Sequence, residues 1–322
     1  MAAAAGARRR MEARGRAPAR GIARGTQAAT HRPNVISAAQ GGAYVHAMPA
    51  LRPFLTAILA LALPLAAPAQ TASGPAEVPA EVRLLPGWRT AQGTHMAALH
   101  VRLEPGWKTY WRAPGDGGIP PRFRWTGSRN LAAVRFHWPR PGVYEIGGMR
   151  SIGYYGELVL PMELTPQRPG EPIHLQAVVE LGVCRDVCVP MSAEVTADLG
   201  ATMTASTGDP RIAAALAARP VSAREAGVRR IACTVEPLRD GLRLTARIEM
   251  PPLGPDEVAV FELPDDSIWV SESDNGREGR ALVSTSDMVP PAGAPFALDR
   301  SSVRITVLSG NRAVEMRGCP SG

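Results

Sequence analysis

Cysteine is the residue type in this chain with the most distinctive chemistry, and there are four: Cys184, Cys188, Cys233 and Cys319. The first two stand three residues apart in Val183-Cys184-Arg185-Asp186-Val187-Cys188-Val189-Pro190. Strand-like alternation leads into Cys184 and resumes after Pro190 through Val195, so the pair flanks a tight reversal. A fully extended five-residue piece would hold the two Cα atoms about 13 Å apart, beyond the roughly 7 Å limit for a disulfide. A bridge therefore requires a turn at Arg185-Asp186-Val187. Three chemistries compete for the pair. A purely structural staple gains little from so short a loop. A metal site lacks a second pair of ligands at sensible spacing: His95, His100, His137 and His174 are scattered, and Met149 and Met191 are the soft side chains available to Cu(I). A redox dithiol fits the count and the geometry, because a bridge at a hairpin end is expected to be reducible. Cys233 and Cys319 lie near the two ends of a separate region and are expected to form a structural disulfide across a long loop.

The compartment follows from the leader. From Met48 the chain reads Met-Pro-Ala-Leu-Arg-Pro, then a largely apolar run from Phe54 to Ala67, then Ala67-Pro68-Ala69. A positive start, a short apolar core and a small-residue cleavage site describe a secretory signal peptide over 48–69, cleaved near Ala69. Residues 1–47 are rich in Ala, Gly and Arg, and read as a non-native or disordered extension ahead of a start at Met48. The formal charge of +7 would point to nucleic acid, but nine of the cationic residues and one acid, Glu12, fall within 1–69. What remains carries one more acid than base, so no basic surface for phosphates is expected and a nucleic-acid partner is excluded. No other apolar stretch is long enough to span a bilayer, so the exported chain is expected to be soluble, without membrane insertion. An even cysteine count in an oxidising compartment is consistent with disulfides.

The expected fold is all-β: two immunoglobulin-like antiparallel β-sandwiches joined by a short helical linker. After a connector at 70–80, His95 to Leu103, Leu131 to Trp138, Glu157 to Leu164 and Ile173 to Val183 read as strands of a first sandwich over 81–200. Trp88, Trp107, Trp111, Trp125 and Trp138 are expected in its packing. Residues 201–229 form a linker, in which Asp209-Pro210 is an N-cap and first-turn pair for a short helix. A second sandwich over 230–322 opens with a hairpin at Asp240-Gly241, flanked by Ile231 to Val235 and Leu242 to Met250.

Three segments in order carry a resemblance: Trp107-Lys108-Thr109-Tyr110-Trp111-Arg112-Ala113-Pro114-Gly115-Asp116-Gly117-Gly118-Ile119-Pro120-Pro121; Gly153-Tyr154-Tyr155-Gly156-Glu157 with Leu160-Pro161; and Val183-Cys184 to Cys188-Val189-Pro190. Together they resemble the N-terminal periplasmic domain of the DsbD/ScsB thiol:disulfide interchange family. The resemblance implies a periplasmic protein thiol-disulfide oxidoreductase without a cofactor. Its cysteine pair passes electrons between thioredoxin-like proteins, a membrane hub and oxidised periplasmic partners. It also implies that Cys188 forms the mixed disulfide and Cys184 resolves it. A cap loop over about 144–153 would shield the sulfurs, with Tyr144, Met149 and Tyr154 as candidates. DsbD proteins carry the hub and a thioredoxin-like domain in the same chain; this sequence has neither, so electrons are expected to arrive in trans.

Attack requires thiolate, whose fraction rises near cations and falls near anions or on burial. Arg185 and Asp186 pull in opposite directions, while Glu145 and Glu180 are expected to raise the thiol pKa values. The alternative function is copper handling, with Cu(I) held by Cys184, Cys188 and Met191, since Cys-x-x-x-Cys-x-Pro is similar to a copper-chaperone motif. Those chaperones begin a helix at the motif, whereas Val189 to Leu199 reads as a strand.

Overall fold

The computed structural model describes residues 79–204, 208–291 and 296–321, with the side chain of Ile146 left aside. The leader at 48–69 and the extension at 1–47 lie outside the described residues. The described part falls within one compact unit.

Short strands separated by Pro and Gly build a first pair of sheets. In chain order they are β1 (Ala80–Arg89), β2 (His95–Leu103), β3 (Lys108–Tyr110), β4 (Arg122–Arg124), β5 (Ala133–Phe136), β6 (Gly142–Ile146), β7 (Met149–Tyr155), β8 (Glu157–Thr165), β9 (Ile173–Cys184) and β10 (Cys188–Leu199). One sheet has the order β1-β2-β8-β5; the other runs β10-β9-β3-β7-β6, with β4 also on β9. All these pairings are antiparallel. Alternation along β9 sends Ile173, Leu175, Ala177, Val179, Leu181 and Val183 into the core between the sheets. Trp107, Trp111 and Trp138 are buried there, and Trp125 packs against the same core, as expected of large aromatic side chains.

Helix α1 (Pro210–Ala217) starts where Asp209 accepts a hydrogen bond from the backbone N–H of Arg211, with Pro210 in the first turn. It is not a free connector. Its buried Ile212 packs with Leu85, Met96 and Ala98, covering the outer face of the β1-β2 sheet.

The second pair of sheets comprises β11 (Val221–Ser222), β12 (Arg230–Pro237), β13 (Leu242–Glu249), β14 (Val258–Glu262), β15 (Trp269–Val270), β16 (Asp274–Glu278), β17 (Ala281–Val289), β18 (Arg304–Ser309) and β19 (Arg312–Arg317). Their orders are β11-β19-β18-β14 and β12-β13-β17-β15, with β16 on β17. Cys233 on β12 and Cys319 beyond β19 form a disulfide that ties the two sheets together through their shared core.

The two sandwiches touch through apolar and ionic contacts. Leu308 and Ala313 of the second join the core cluster of the first. Arg112 forms a two-pronged hydrogen bond with Glu262 at 2.7 and 2.9 Å and a third with Glu315 at 2.7 Å. Its guanidinium lies 4.1 Å from the centre of the Trp111 ring. Planar, bidentate pairing fixes geometry better than a single point contact does.

Candidate redox site

β9 ends at Cys184 and β10 begins at Cys188, and the two residues are direct cross-strand partners. The three-residue loop closes with a hydrogen bond from the Arg185 N–H to the Val187 carbonyl at 3.2 Å. This reversal brings the Cα atoms to 4.1 Å, and the cysteines are joined as a disulfide. The two sulfurs differ in access. Cys184 is 2% exposed, whereas Cys188 lies in the exposed run from Arg185 to Pro190.

Strand parity decides what surrounds the pair. Lys108 lies opposite Cys184 on one side and Tyr155 on the other, so these three side chains share the sheet face that faces away from the core. Tyr110, two residues further along β3, lies over the same face. Its ring occupies room left by glycines. A Cβ at Gly182 would stand 3.1 Å from the ring, and one at Gly118 would stand 2.9 Å from it. The Tyr110 hydroxyl then reaches Cys184 Sγ at 2.9 Å, Cys188 Sγ at 3.3 Å and the Gly117 carbonyl at 3.1 Å. In the disulfide state the sulfurs carry no proton, so the phenol's single O–H is the donor and is shared among the two sulfurs and the Gly117 carbonyl. Burial, with a smaller effect from Tyr155, raises the Tyr110 pKa and keeps that proton on oxygen.

The expected site residues are placed as follows. Residues 144–153 are not a loop. They fall on the β6–β7 hairpin, turning at Gly147-Gly148, where both glycines have positive φ. Met149 lies against Gly117, whose carbonyl accepts from the Tyr110 hydroxyl, and is 54% exposed. Tyr144 is edge-on to Tyr155 at 4.8 Å. Tyr154 departs from the cap assignment: parity turns it into the core, and its hydroxyl donates to the Pro139 carbonyl at 2.8 Å. Met191 departs from the copper ligand set for the same reason. One residue out of phase with Cys188 and Pro190, it packs against the core on the other face of β10.

The charged candidates are paired elsewhere. Glu180 accepts from Arg124 at 2.6 Å, and Glu145 from Arg150 at 3.4 Å. Arg185 donates to Asp186 and covers the Trp107 ring at 5.1 Å. The second sandwich reaches this region too. Glu272 accepts the Arg150 backbone N–H at 3.0 Å, fastening the β6–β7 hairpin near its turn.

Lys108 and Tyr110 are the site residues that sequence reasoning passed over. Both lie in the Trp107 to Pro121 segment, and the two-residue period of a strand was the signal that they share a face. Replacing Tyr110 by Phe removes the hydroxyl donor. A hydrogen bond to a charged group is worth about 1.5 kcal/mol, so the thiol pKa of the reduced pair should rise by about one unit. The pH profile of alkylation reads this directly, and an unchanged profile would contradict the assignment.

The disulfide thus sits at the tip of the β9–β10 hairpin of an immunoglobulin-like sandwich, with Cys184 buried under a phenol and Cys188 in an exposed run. Residues 81–199 match the model of the family described as "Thiol:disulfide interchange protein DsbD, N-terminal". Over that segment the chain carries this DsbD N-terminal domain, as its three motifs imply. The crystal structure of the N-terminal periplasmic domain of ScsB from Proteus mirabilis is similar in fold, with a TM-score of 0.59 at 24% identity. That likeness covers 78% of this chain and 97% of the other, so it extends beyond 81–199. No curated protein matches the chain.

Proposed function

We propose that the Cys184/Cys188 pair relays reducing equivalents in the periplasm, from a thioredoxin-like protein or a separate membrane hub to oxidised protein partners. The observation that carries this reading is the unequal access of the two sulfurs. The Cys188 thiolate attacks the partner's disulfide, forming a mixed disulfide and releasing one partner thiolate, which takes up a proton. Cys184, as thiolate, then attacks Cys188 Sγ; the second partner thiol leaves and the Cys184–Cys188 bond re-forms. Two electrons pass to the partner.

The surroundings favour a protein partner. Ile119, Met149, Tyr155, Val187 and Val189 are large apolar side chains exposed around the pair. Exposed apolar side chains grouped about a reactive centre are suited to docking. Among the described residues no helix is long and apolar enough to cross a membrane. Residues 81–200 act as the redox domain, 201–229 as the linker, and 230–322 as a support that holds the cap hairpin. In the copper reading the ligand set reduces to two thiolates, since Met191 faces the core. Among the described residues no three His, Cys, Asp or Glu converge. Exchange is therefore the reading the geometry supports better. Trapping a mixed disulfide on Cys188 tests it.

A further inference from the structure

Lys108 is 4% exposed, an unusual position for an ammonium. Its Nζ has one hydrogen-bond partner among the described residues, Ser151 Oγ at 2.5 Å, and no carboxylate lies within ion-pair distance there. A buried cation without a counter-charge is costly, and burial lowers its pKa.

The neighbours of Lys108 show where a counter-charge arises. Across β3 and β9 it is the direct partner of Cys184. Directly opposed residues of antiparallel strands have Cβ atoms about 4.5 to 5.5 Å apart. On the β7 side its neighbours are Ser151 and Tyr155, with Tyr144 beyond them, opposite Ser151 on β6. On its own strand the ammonium lies 5.0 Å from the centre of the Tyr110 ring, whose hydroxyl touches both sulfurs. Among the residues paired with Lys108 or in contact with it, the group able to become anionic near neutral pH is the Cys184 thiol, with Cys188 paired to it on β10 and Tyr110 linking the ammonium to both sulfurs. The thiol does so only when the disulfide is reduced.

We propose that Lys108 is a positioning cation of the redox pair: its ammonium favours a reduced state holding one thiolate, and so makes the disulfide easier to reduce. In balance, the disulfide takes two electrons and one proton to give one thiol and one thiolate beside the ammonium. Without the charge, a second proton is needed to reach the dithiol. The inference rests on the exchange function proposed above. It goes further by naming the group that sets the pair's potential.

The test compares wild type with Lys108→Met and Lys108→Arg in glutathione buffers, reading the dithiol-disulfide equilibrium and the pH profile of alkylation. Loss of the charge should shift the equilibrium toward disulfide by about tenfold, which is about 30 mV for a two-electron couple. The alkylation profile should move to higher pH, and Lys108→Arg should restore most of both. If Lys108→Met does not fold, Lys108→Gln gives the same comparison. An unchanged equilibrium and profile in a folded, uncharged variant would overturn the role of Lys108 alone. Failure of the wild-type pair to equilibrate with glutathione at all would instead remove the exchange function.

Discussion

With Cys184 replaced by Ser, the reduced protein should accumulate a covalent adduct with an oxidised thioredoxin-fold partner, whereas Cys188→Ser should give none. The difference follows from access. Nucleophilic attack on a disulfide is in line with the sulfur-sulfur bond and requires the attacking sulfur to reach the partner's surface. Cys188 lies in the exposed stretch of the hairpin, while Cys184 is closed in by Lys108, Tyr110 and the sheet. In the wild type Cys184 is cross-strand to Cys188, so resolution is intramolecular and fast and the adduct stays scarce. Removing Cys184 eliminates that second step without touching the first. Non-reducing electrophoresis after acid quenching reads the result. An adduct on Cys184 in the Cys188→Ser protein, at a yield equal to the reverse case, would contradict the assignment of roles.

The second large effect concerns stability. Breaking Cys233–Cys319 by a double Ser substitution should cost roughly 4 to 5 kcal/mol on the chain-entropy model, since the cysteines stand 86 residues apart. The same model gives about 2 kcal/mol for Cys184–Cys188, with a separation of 4. Reducing the short bridge should therefore lower the urea midpoint far less than removing the long one. This ordering suits a division of labour in which one bridge can open repeatedly while the other holds β12 to the end of β19. Equal destabilisation by the two losses would show that the short bridge also carries the fold.

Much of the architecture was legible because its signals are local. β2 and β8 begin where alternation predicts, and β9 runs into Cys184 with its apolar residues in phase. Asp209-Pro210 starts the helix, although its packing onto the β1-β2 sheet was not visible. The cap loop that the resemblance implies over about 144–153 is the β6–β7 hairpin in the structure. The Gly147-Gly148 pair was the turn signal that marked it.

The site divides in the same way. The cysteine hairpin is a local feature and was read from spacing. The Tyr110 contact with Cys184 joins residues 74 apart, and the Arg124–Glu180 pair joins residues 56 apart. No local pattern reports such meetings, so carboxylates expected to act on the thiols proved to be paired with arginines. The orientation of Met191 was within reach: counting by twos from Cys188 places it on the opposite face.

The most direct test is a redox titration of the protein from Gln70 onward, with alkylation and peptide mass spectrometry resolving each cysteine. The account predicts that Cys184 and Cys188 interconvert together between roughly −270 and −120 mV, the span from thioredoxin to strong periplasmic oxidants, while Cys233 and Cys319 stay bridged. A Cys184–Cys188 bond that remains oxidised below about −300 mV would make it a structural staple and contradict the relay.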